Sequence, residues 1–205
     1  MIKNILFDLG GVLLNLDMGK TREAFARLGW KEENWKGITR SGYLIFENLE
    51  IGVDTPEQFR QKVRELLPGN PADEEIDYAW NAMLVDFPDG VVDYLVELRK
   101  KYRLYLLSNT NELHVRRFNQ IFEETYGYPI SQLFEKCYYS NEIGFRKPDP
   151  EAFRAVLQDA AIEPEETLFV DDLKDNTDAA QKLGMKTLHI AAGTLLESLP
   201  GYLTS

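Results

Sequence analysis

Cysteine is almost absent. Cys137 is the single one in 205 residues, so no disulfide can form within the chain, and a reducing compartment is expected. It lies between Phe134 and the Tyr138-Tyr139 pair and reads as a small buried hydrophobe rather than a nucleophile. Histidine occurs twice, at His114 and His189, and two histidines with one cysteine offer no zinc-type cluster. No apolar run approaches 18 residues, and no apolar segment follows a basic N-terminal region. A membrane span and a secretory leader are therefore not expected, and the expected location is cytoplasmic. Basic tracts are missing too. Lys and Arg total 23 against 34 Asp and Glu, a formal net charge of -11, which disfavours a nucleic-acid partner. In so acidic a protein, a small phosphate has to be held by local groups or by a metal. Repeats, low-complexity tracts and coiled-coil heptads are also lacking, and no feature specifies an oligomeric state.

The composition that remains is ordinary for a globular protein, at 44% hydrophobic and 28% charged. A chain of this length can bury roughly 70% of the surface it exposes when unfolded. Its first stretch is the most pointed. Residues 4–9, Asn4-Ile5-Leu6-Phe7-Asp8-Leu9, read as a buried strand that delivers Asp8 to a sheet edge, where Gly10-Gly11 turn the chain sharply. Asp8 is thus either a turn or capping residue or a strand-end carboxylate serving a site. Leu14, Leu16 and Met18 then alternate as in a small hairpin or flap.

From Thr21 to about residue 84 no strand is expected. Phe25, Leu28 and the Trp30/Trp35 pair belong to short helices broken by Gly29 and Gly37. Thr55 before Pro56 starts another helix, with Phe59, Val63, Leu66 and Leu67 on its apolar face. A further helix turns Ile76, Ala79, Trp80 and Met83 inward. This block reads as an inserted helical subdomain, residues 16–87, with residues 86–90 as the return linker. Residues 1–15 and 88–205 form the main domain. There, apolar runs at 104–107, 133–139, 167–170 and 187–190 alternate with helical patterns at about 91–98, 113–124, 151–159 and 176–183, followed by a C-terminal tail. That order predicts an α/β fold: an open parallel sheet with helices on both faces and an inserted all-helical cap.

In such sheets ligands bind beyond the carboxyl ends of the strands. Asp8, Ser108-Asn109, Lys147 and Asp171-Asp172 would all arrive there. Phe7-Asp8-Leu9-Gly10-Gly11-Val12, Leu107-Ser108-Asn109-Thr110-Asn111 with Leu113-His114, Gly144-Phe145-Arg146-Lys147-Pro148-Asp149 and Phe169-Val170-Asp171-Asp172 with Asn176 resemble, over essentially the whole chain, the haloacid-dehalogenase-like superfamily. Within it, the chain is similar to the helical-cap group that contains the bacterial α-D-glucose-1-phosphate phosphatase and the N-terminal phosphatase domain of soluble epoxide hydrolases.

The resemblance implies a Rossmann-like core and an Mg²⁺-dependent phosphomonoesterase for a small phosphorylated metabolite, such as a sugar-1-phosphate. It makes Asp8 the nucleophile that becomes an aspartyl-phosphate, an ordinary role for a carboxylate. Mg²⁺ would be held by Asp8, the backbone carbonyl of Gly10 and Asp172, with Asp171 and Asn176 ordering its waters and the loop. Ser108 and the Asn109 N–H would hold a phosphoryl oxygen, and Lys147 would offset charge between Asp8 and phosphate. Arg146 is expected to point away, and Asp175 and Asp178 to be solvated. Arg40, Tyr43, Glu47 and Trp80 are candidates for substrate selection, although Trp80 also fits a core. His114 reads as a packing or surface residue close enough to reach the cleft, and His189 as structural.

One departure stands out. Most phosphatases of the superfamily carry an acid–base aspartate two residues after the nucleophile, and Gly10 occupies that place. General acid–base help is worth roughly 10²–10⁴-fold. The sequence is therefore compatible with a low activity, a substitute acid, or a leaving group that needs little protonation. The sugar-1-phosphate phosphatase shares the gap. Two other readings stand beside the phosphatase: a pseudo-phosphatase that binds a phosphometabolite or a protein, and a 2-haloacid dehalogenase, which would not need the Asp171-Asp172 pair.

Overall fold

The computed structural model describes residues 1–31 and 40–204, with residues 40–44 described by their backbone alone. Five parallel strands form one sheet: β1 (Asn4–Phe7), β2 (Arg103–Ser108), β3 (Lys136–Tyr139), β4 (Thr167–Asp171) and β5 (Lys186–His189), in the order β3-β2-β1-β4-β5. Phe7 stands in register with Leu106 on one side and with Val170 on the other. Strand order reverses at β1, so the carboxyl ends of β1, β2 and β4 surround the crevice where a ligand can enter.

The three central strands, β1, β2 and β4, read as largely apolar runs because both faces of the sheet are covered there. Ile5, Phe7, Leu104, Leu106, Leu168 and Val170 pack on one face against α5 (Val91–Leu98), α6 (Glu112–Tyr126) and α10 (Leu195–Thr204). Leu6, Tyr105, Leu107 and Phe169 pack on the other against α8 (Pro150–Asp159) and α9 (Lys174–Lys182). Burying each large apolar side chain contributes about 1.5–3 kcal/mol, which is why the frame under the site is stiff. The expected fold class is the one observed.

Between β1 and α5 lie α1 (Met18–Arg27), α2 (Arg40–Glu50), α3 (Pro56–Glu65) and α4 (Asp73–Asn81). They form a separate apolar cluster around Phe25, Trp30, Phe59, Val63, Ile76 and Trp80. Thr55 caps α3 in a reciprocal box with Gln58, as its sequence predicts. Trp35 and Gly37 lie outside the described residues. Two crossing segments join this cap to the sheet domain. Leu16 and Leu84 form an antiparallel bridge, flanked by Asn15 N–H to the Asp86 carbonyl at 2.8 Å and Asp17 N–H to the Met83 carbonyl at 2.8 Å.

Two elements differ from the sequence reading. The C-terminal tail is a helix, α10, despite Pro200 within it, because Leu195 and Leu199 share one buried face. A single helical turn, α7 (Ser140–Ile143), interrupts the loop after β3 and ends at Gly144 with φ +76°. Among the described residues no helix is long and apolar enough to cross a membrane.

Candidate active site

Asp8 follows β1 directly, and its N–H still donates to the Val170 carbonyl at 2.9 Å, so the neighbouring strand β4 fixes where its carboxylate emerges. Lys147 comes from the loop between α7 and α8 and is 2% exposed. Its ammonium donates to Asp8 Oδ1 at 2.6 Å and to Asp171 Oδ2 at 2.8 Å. A fully buried lysine needs such partners, since its charge would otherwise be very costly.

The backbone around Lys147 is held as firmly as its head. Asn109 Nδ2 donates to the Lys147 carbonyl at 2.8 Å, and the Lys147 N–H donates to Asn109 Oδ1 at 2.8 Å. The side chain of Asn109 therefore aims the lysine loop, while its N–H remains the group expected to face phosphate. Next to it, Ser140 accepts from the Thr110 N–H at 2.8 Å and donates to the Thr110 carbonyl at 3.0 Å. Ser108 ends β2, buried at 3% exposure, on the strand adjacent to Asp8.

Asp171 is fully buried. Besides Lys147, it accepts from the Leu173 N–H at 2.7 Å and from Asn176 Nδ2 at 3.1 and 3.0 Å to its two oxygens. These contacts make Asp171 and Asn176 an orienting pair for Lys147. Asp172 is half-buried, and Asp8, Asp171 and Asp172 each offer an oxygen within 4.8 Å of the others. Gly11 has φ +78°, and a Cβ there would collide with the Asp172 carboxylate. That glycine is required both by its backbone and by the approach of Asp172. The carbonyl of Asp172 meets His189 Nε2 at 3.0 Å, which ties β5 to the rim.

The charges do not balance locally. Burial pushes the Asp8 carboxyl up to about 7, Lys147 opposes that rise, and Asp171 adds to it. Asp172 is also raised, by burial and by its neighbour Asp171. Burial alone would lower Lys147, but the two carboxylates hold it above its ordinary value, so it stays charged. One cation shared by three carboxylates leaves a negative surplus in a dry place. Hard oxygens that close together fit a small divalent cation.

Other expected contributors fall elsewhere. His114 is buried at the start of α6, and burial lowers its imidazole to about 4. Its Nδ1 faces Asn111 Nδ2 at 3.1 Å, its Nε2 lies 3.2 Å from the Trp80 carbonyl, and its ring stacks on the Trp80 indole at 4.7 Å. With Asn111 donating, His114 keeps its proton on Nε2 and gives it to Trp80. It is a docking residue for the cap. Trp80 is likewise core, stacked also on Phe46 at 4.8 Å. Arg146 turns toward the cap and pairs with Glu47 at 2.9 Å and Glu50 at 3.1 Å. The side chains of Arg40 and Tyr43 lie outside the described residues. Asp178 pairs with Lys174 on the exposed face of α9. Burial lifts the half-buried Cys137 thiol to about 11, so it is not an activated nucleophile.

Residues 2–184 match the family of haloacid dehalogenase-like hydrolases. The chain belongs to that family. It is 35% identical over 187 residues to the D-ribitol-5-phosphate phosphatase of Bacteroides thetaiotaomicron, covering 91% of each chain. Its fold is similar to a crystal structure of a haloacid dehalogenase family enzyme from the same organism in complex with magnesium and inorganic phosphate. The TM-score is 0.88 and the identity 42%, over 94% of this chain and 96% of that one. An HAD-like family hydrolase from Porphyromonas gingivalis matches with a TM-score of 0.90 and 30% identity, over 100% and 99% of the two chains. With that membership, the strand-end cluster is read as a hydrolase site.

Proposed function

We propose that this hydrolase is an Mg²⁺-dependent phosphomonoesterase acting on a small phosphorylated sugar or polyol through an aspartyl-phosphate at Asp8. The observation that carries the reading is the Lys147 ammonium held between Asp8 and Asp171 with Asp172 beside them. An aspartate nucleophile needs a neighbouring cation to accept a phosphate dianion, and this pocket supplies one. The relative that acts on D-ribitol-5-phosphate and the similar enzyme holding magnesium and phosphate support the same chemistry. The carboxylates of Asp8 and Asp172 with the Gly10 carbonyl would hold the ion, which when bound offsets the repulsion between carboxylates and phosphate.

Asp8 attacks phosphorus with one carboxylate oxygen. The bond from phosphorus to the leaving oxygen breaks, its electron pair stays on that oxygen, and a proton from solvent water completes the alcohol. Ser108 and the Asn109 N–H hold a second phosphoryl oxygen while Lys147, braced by Asp171, offsets charge between Asp8 and phosphorus. Water then attacks phosphorus and regenerates the Asp8 carboxylate with release of phosphate. The helices of residues 16–87 act as a cap that limits bulk water.

The test is phosphate release from a panel of sugar and polyol phosphates, including sugar-1-phosphates and pentitol-5-phosphates. Wild type with Mg²⁺ is expected to turn over at least one of them, and Asp8→Asn or a chelator to abolish release. No release that requires both Asp8 and the metal, across the panel, would overturn the proposal. Halide release from a 2-haloacid in the presence of chelator would point to the dehalogenase instead.

A further inference from the structure

β2 and β3 separate just where the site begins. Their last residues in register are Ser108 and Tyr139. Beyond that pair one chain runs into the Ser108–Thr110 corner and the other through α7 to Lys147. Among the described contacts no backbone hydrogen bond joins residues 109–111 to residues 140–147. Two side chains bridge the gap instead, one from each side. Asn109 exchanges hydrogen bonds with the N–H and carbonyl of Lys147. Ser140 reaches the opposite way, accepting from the Thr110 N–H at 2.8 Å and donating to the Thr110 carbonyl at 3.0 Å. Ser140 is fully buried and Thr110 is 3% exposed, so without that hydroxyl the two Thr110 groups have no water to turn to. Holding both of them fixes the peptide that follows Asn109, and with it the corner on which Ser108 and the Asn109 N–H stand.

The same turn is where backbone of the cap touches the sheet domain. Gly52, just beyond α2, has φ +70°. The three atoms nearest a Cβ placed there are the carbonyl oxygen, carbonyl carbon and Cα of Asn141. All three are backbone, so no flexible side chain can swing aside to make room. Asn141 follows Ser140 within a turn closed by the Gly144 N–H donating to the Ser140 carbonyl at 2.9 Å. Cap backbone, α7 and the corner beside Asp8 therefore abut in series.

We propose that Ser140 is a positioning residue of this enzyme. Its hydroxyl sets the phosphate-binding corner and transmits to it the position of the cap, received through Gly52 and Asn141. The inference rests on the phosphatase reading above and adds to it a residue whose hydroxyl is spent on Thr110 and which acts through the corner. The Lys147 ammonium is held separately, by Asp8 and Asp171. A shift of the α7 turn thus misaligns the corner's donors against a cation that stays in place. Such misalignment weakens the transition state more than the bound substrate, which the metal and Lys147 still hold.

The experiment measures kcat and KM with Mg²⁺, well below each variant's Tm, on p-nitrophenyl phosphate and on the best sugar or polyol phosphate of the panel. Ser140→Ala is expected to lower kcat by about 10–100-fold with KM within about threefold, the scale of a small misplacement of reacting groups. Gly52→Ala, in the cap, should lower kcat by about tenfold. Combining the two should leave kcat within about threefold of Ser140→Ala alone, because the displaced turn no longer reaches Thr110. Two further variants control for lost stability. Thr167→Val removes a buried hydroxyl that donates to the Glu163 carbonyl at 2.8 Å, at the amino end of β4 and away from the site. Gly69→Ala strains a cap glycine with φ +94° and no atom within 4 Å of its Cβ position. Both should keep kcat within about twofold of wild type.

A Ser140→Ala kcat equal to wild type would overturn the inference, as would a fall matched by Thr167→Val, which would make the hydroxyl structural only. Losses from Gly52→Ala and Ser140→Ala that multiply in the double variant would overturn the link to the cap. Should Ser140→Ala fail to fold, Gly52→Ala against Gly69→Ala decides, and equal kcat values for those two would overturn the inference. Each of these outcomes is read against a wild type that turns over and leaves the phosphatase reading intact. Absence of Asp8- and metal-dependent release from wild type across the panel would defeat that reading and this inference with it.

Discussion

At the scale of single residues, Lys147 decides most of the site. Its ammonium is the only partner shared by Asp8 and Asp171 in the described contacts, at 2.6 and 2.8 Å, and both acids are buried. Removing one member of a buried ionic cluster costs more than the pair itself contributes, because the survivors keep their charge without compensation. Lys147→Met is therefore expected to lower stability by about 3–5 kcal/mol in metal-free protein at neutral pH. Asp171→Asn in that background should recover part of the loss, since it removes one uncompensated charge. The urea midpoint reads both effects, and a Lys147→Met midpoint equal to wild type would show that the lysine is not the cluster's counter-charge. The meeting of Lys147 with Asp8 was expected from the sequence, through the resemblance carried by Gly144-Phe145-Arg146-Lys147-Pro148 and the strand-end motifs. The way it is held was not. Asn109 binding the Lys147 backbone joins residues 38 apart, and local pattern carries no trace of that contact.

At the scale of elements, α4 of the cap and α6 of the core meet through Trp80, Asn111 and His114. The imidazole is buried and sits low, at about 4, against its ordinary 6.5. The unfolded chain therefore binds a proton between those two values that the folded protein refuses. Stability from this group is complete above pH 6.5 and is lost progressively as pH falls toward 4, by on the order of 3 kcal/mol. His114→Asn should flatten that part of a pH–stability profile measured by urea unfolding. An unchanged slope between pH 4 and 6.5 would mean the ring is free to take up its proton in the fold. The central strands β1, β2 and β4 were readable because each is a short, mostly apolar run followed by or ending in a polar residue, and that ending is also what places Asp8, Ser108 and Asp171-Asp172 together. Elements that depend on distant packing were harder to read. The helix at Leu195–Thr204 contains Pro200 and Gly201, both poor helix formers, and only the burial of Leu195 and Leu199 against the sheet domain explains it. The turn at Ser140–Ile143 is four residues long, too short for periodicity, yet its Ser140 brackets Thr110 beside the site.

At the scale of the whole molecule, the question is what holds the cap over the cleft. Beside the two crossing segments and the Trp80 contact, α2 touches the loop that carries Lys147. Arg146, the neighbour of Lys147, reaches Glu47 and Glu50, and Gly52 just beyond α2 lies against the Asn141 carbonyl so closely that a Cβ would collide with it. The pairs are partly exposed, and such pairs are worth roughly 0.2–1 kcal/mol each. Together they can bias cap closure by no more than about thirtyfold, so they tune closure rather than enforce it. Salt should weaken them, as it does other exposed pairs. Arg146→Gln is thus expected to raise KM for a sugar or polyol phosphate by up to about thirtyfold at low ionic strength, while leaving KM for inorganic-sized phosphoryl donors nearly unchanged. High salt should bring wild type to the variant's value, and Glu47→Gln with Glu50→Gln in the Arg146→Gln background should add nothing further. A salt-independent effect, or one shared equally by small and large substrates, would mean that Arg146 acts on Lys147 directly rather than through the cap.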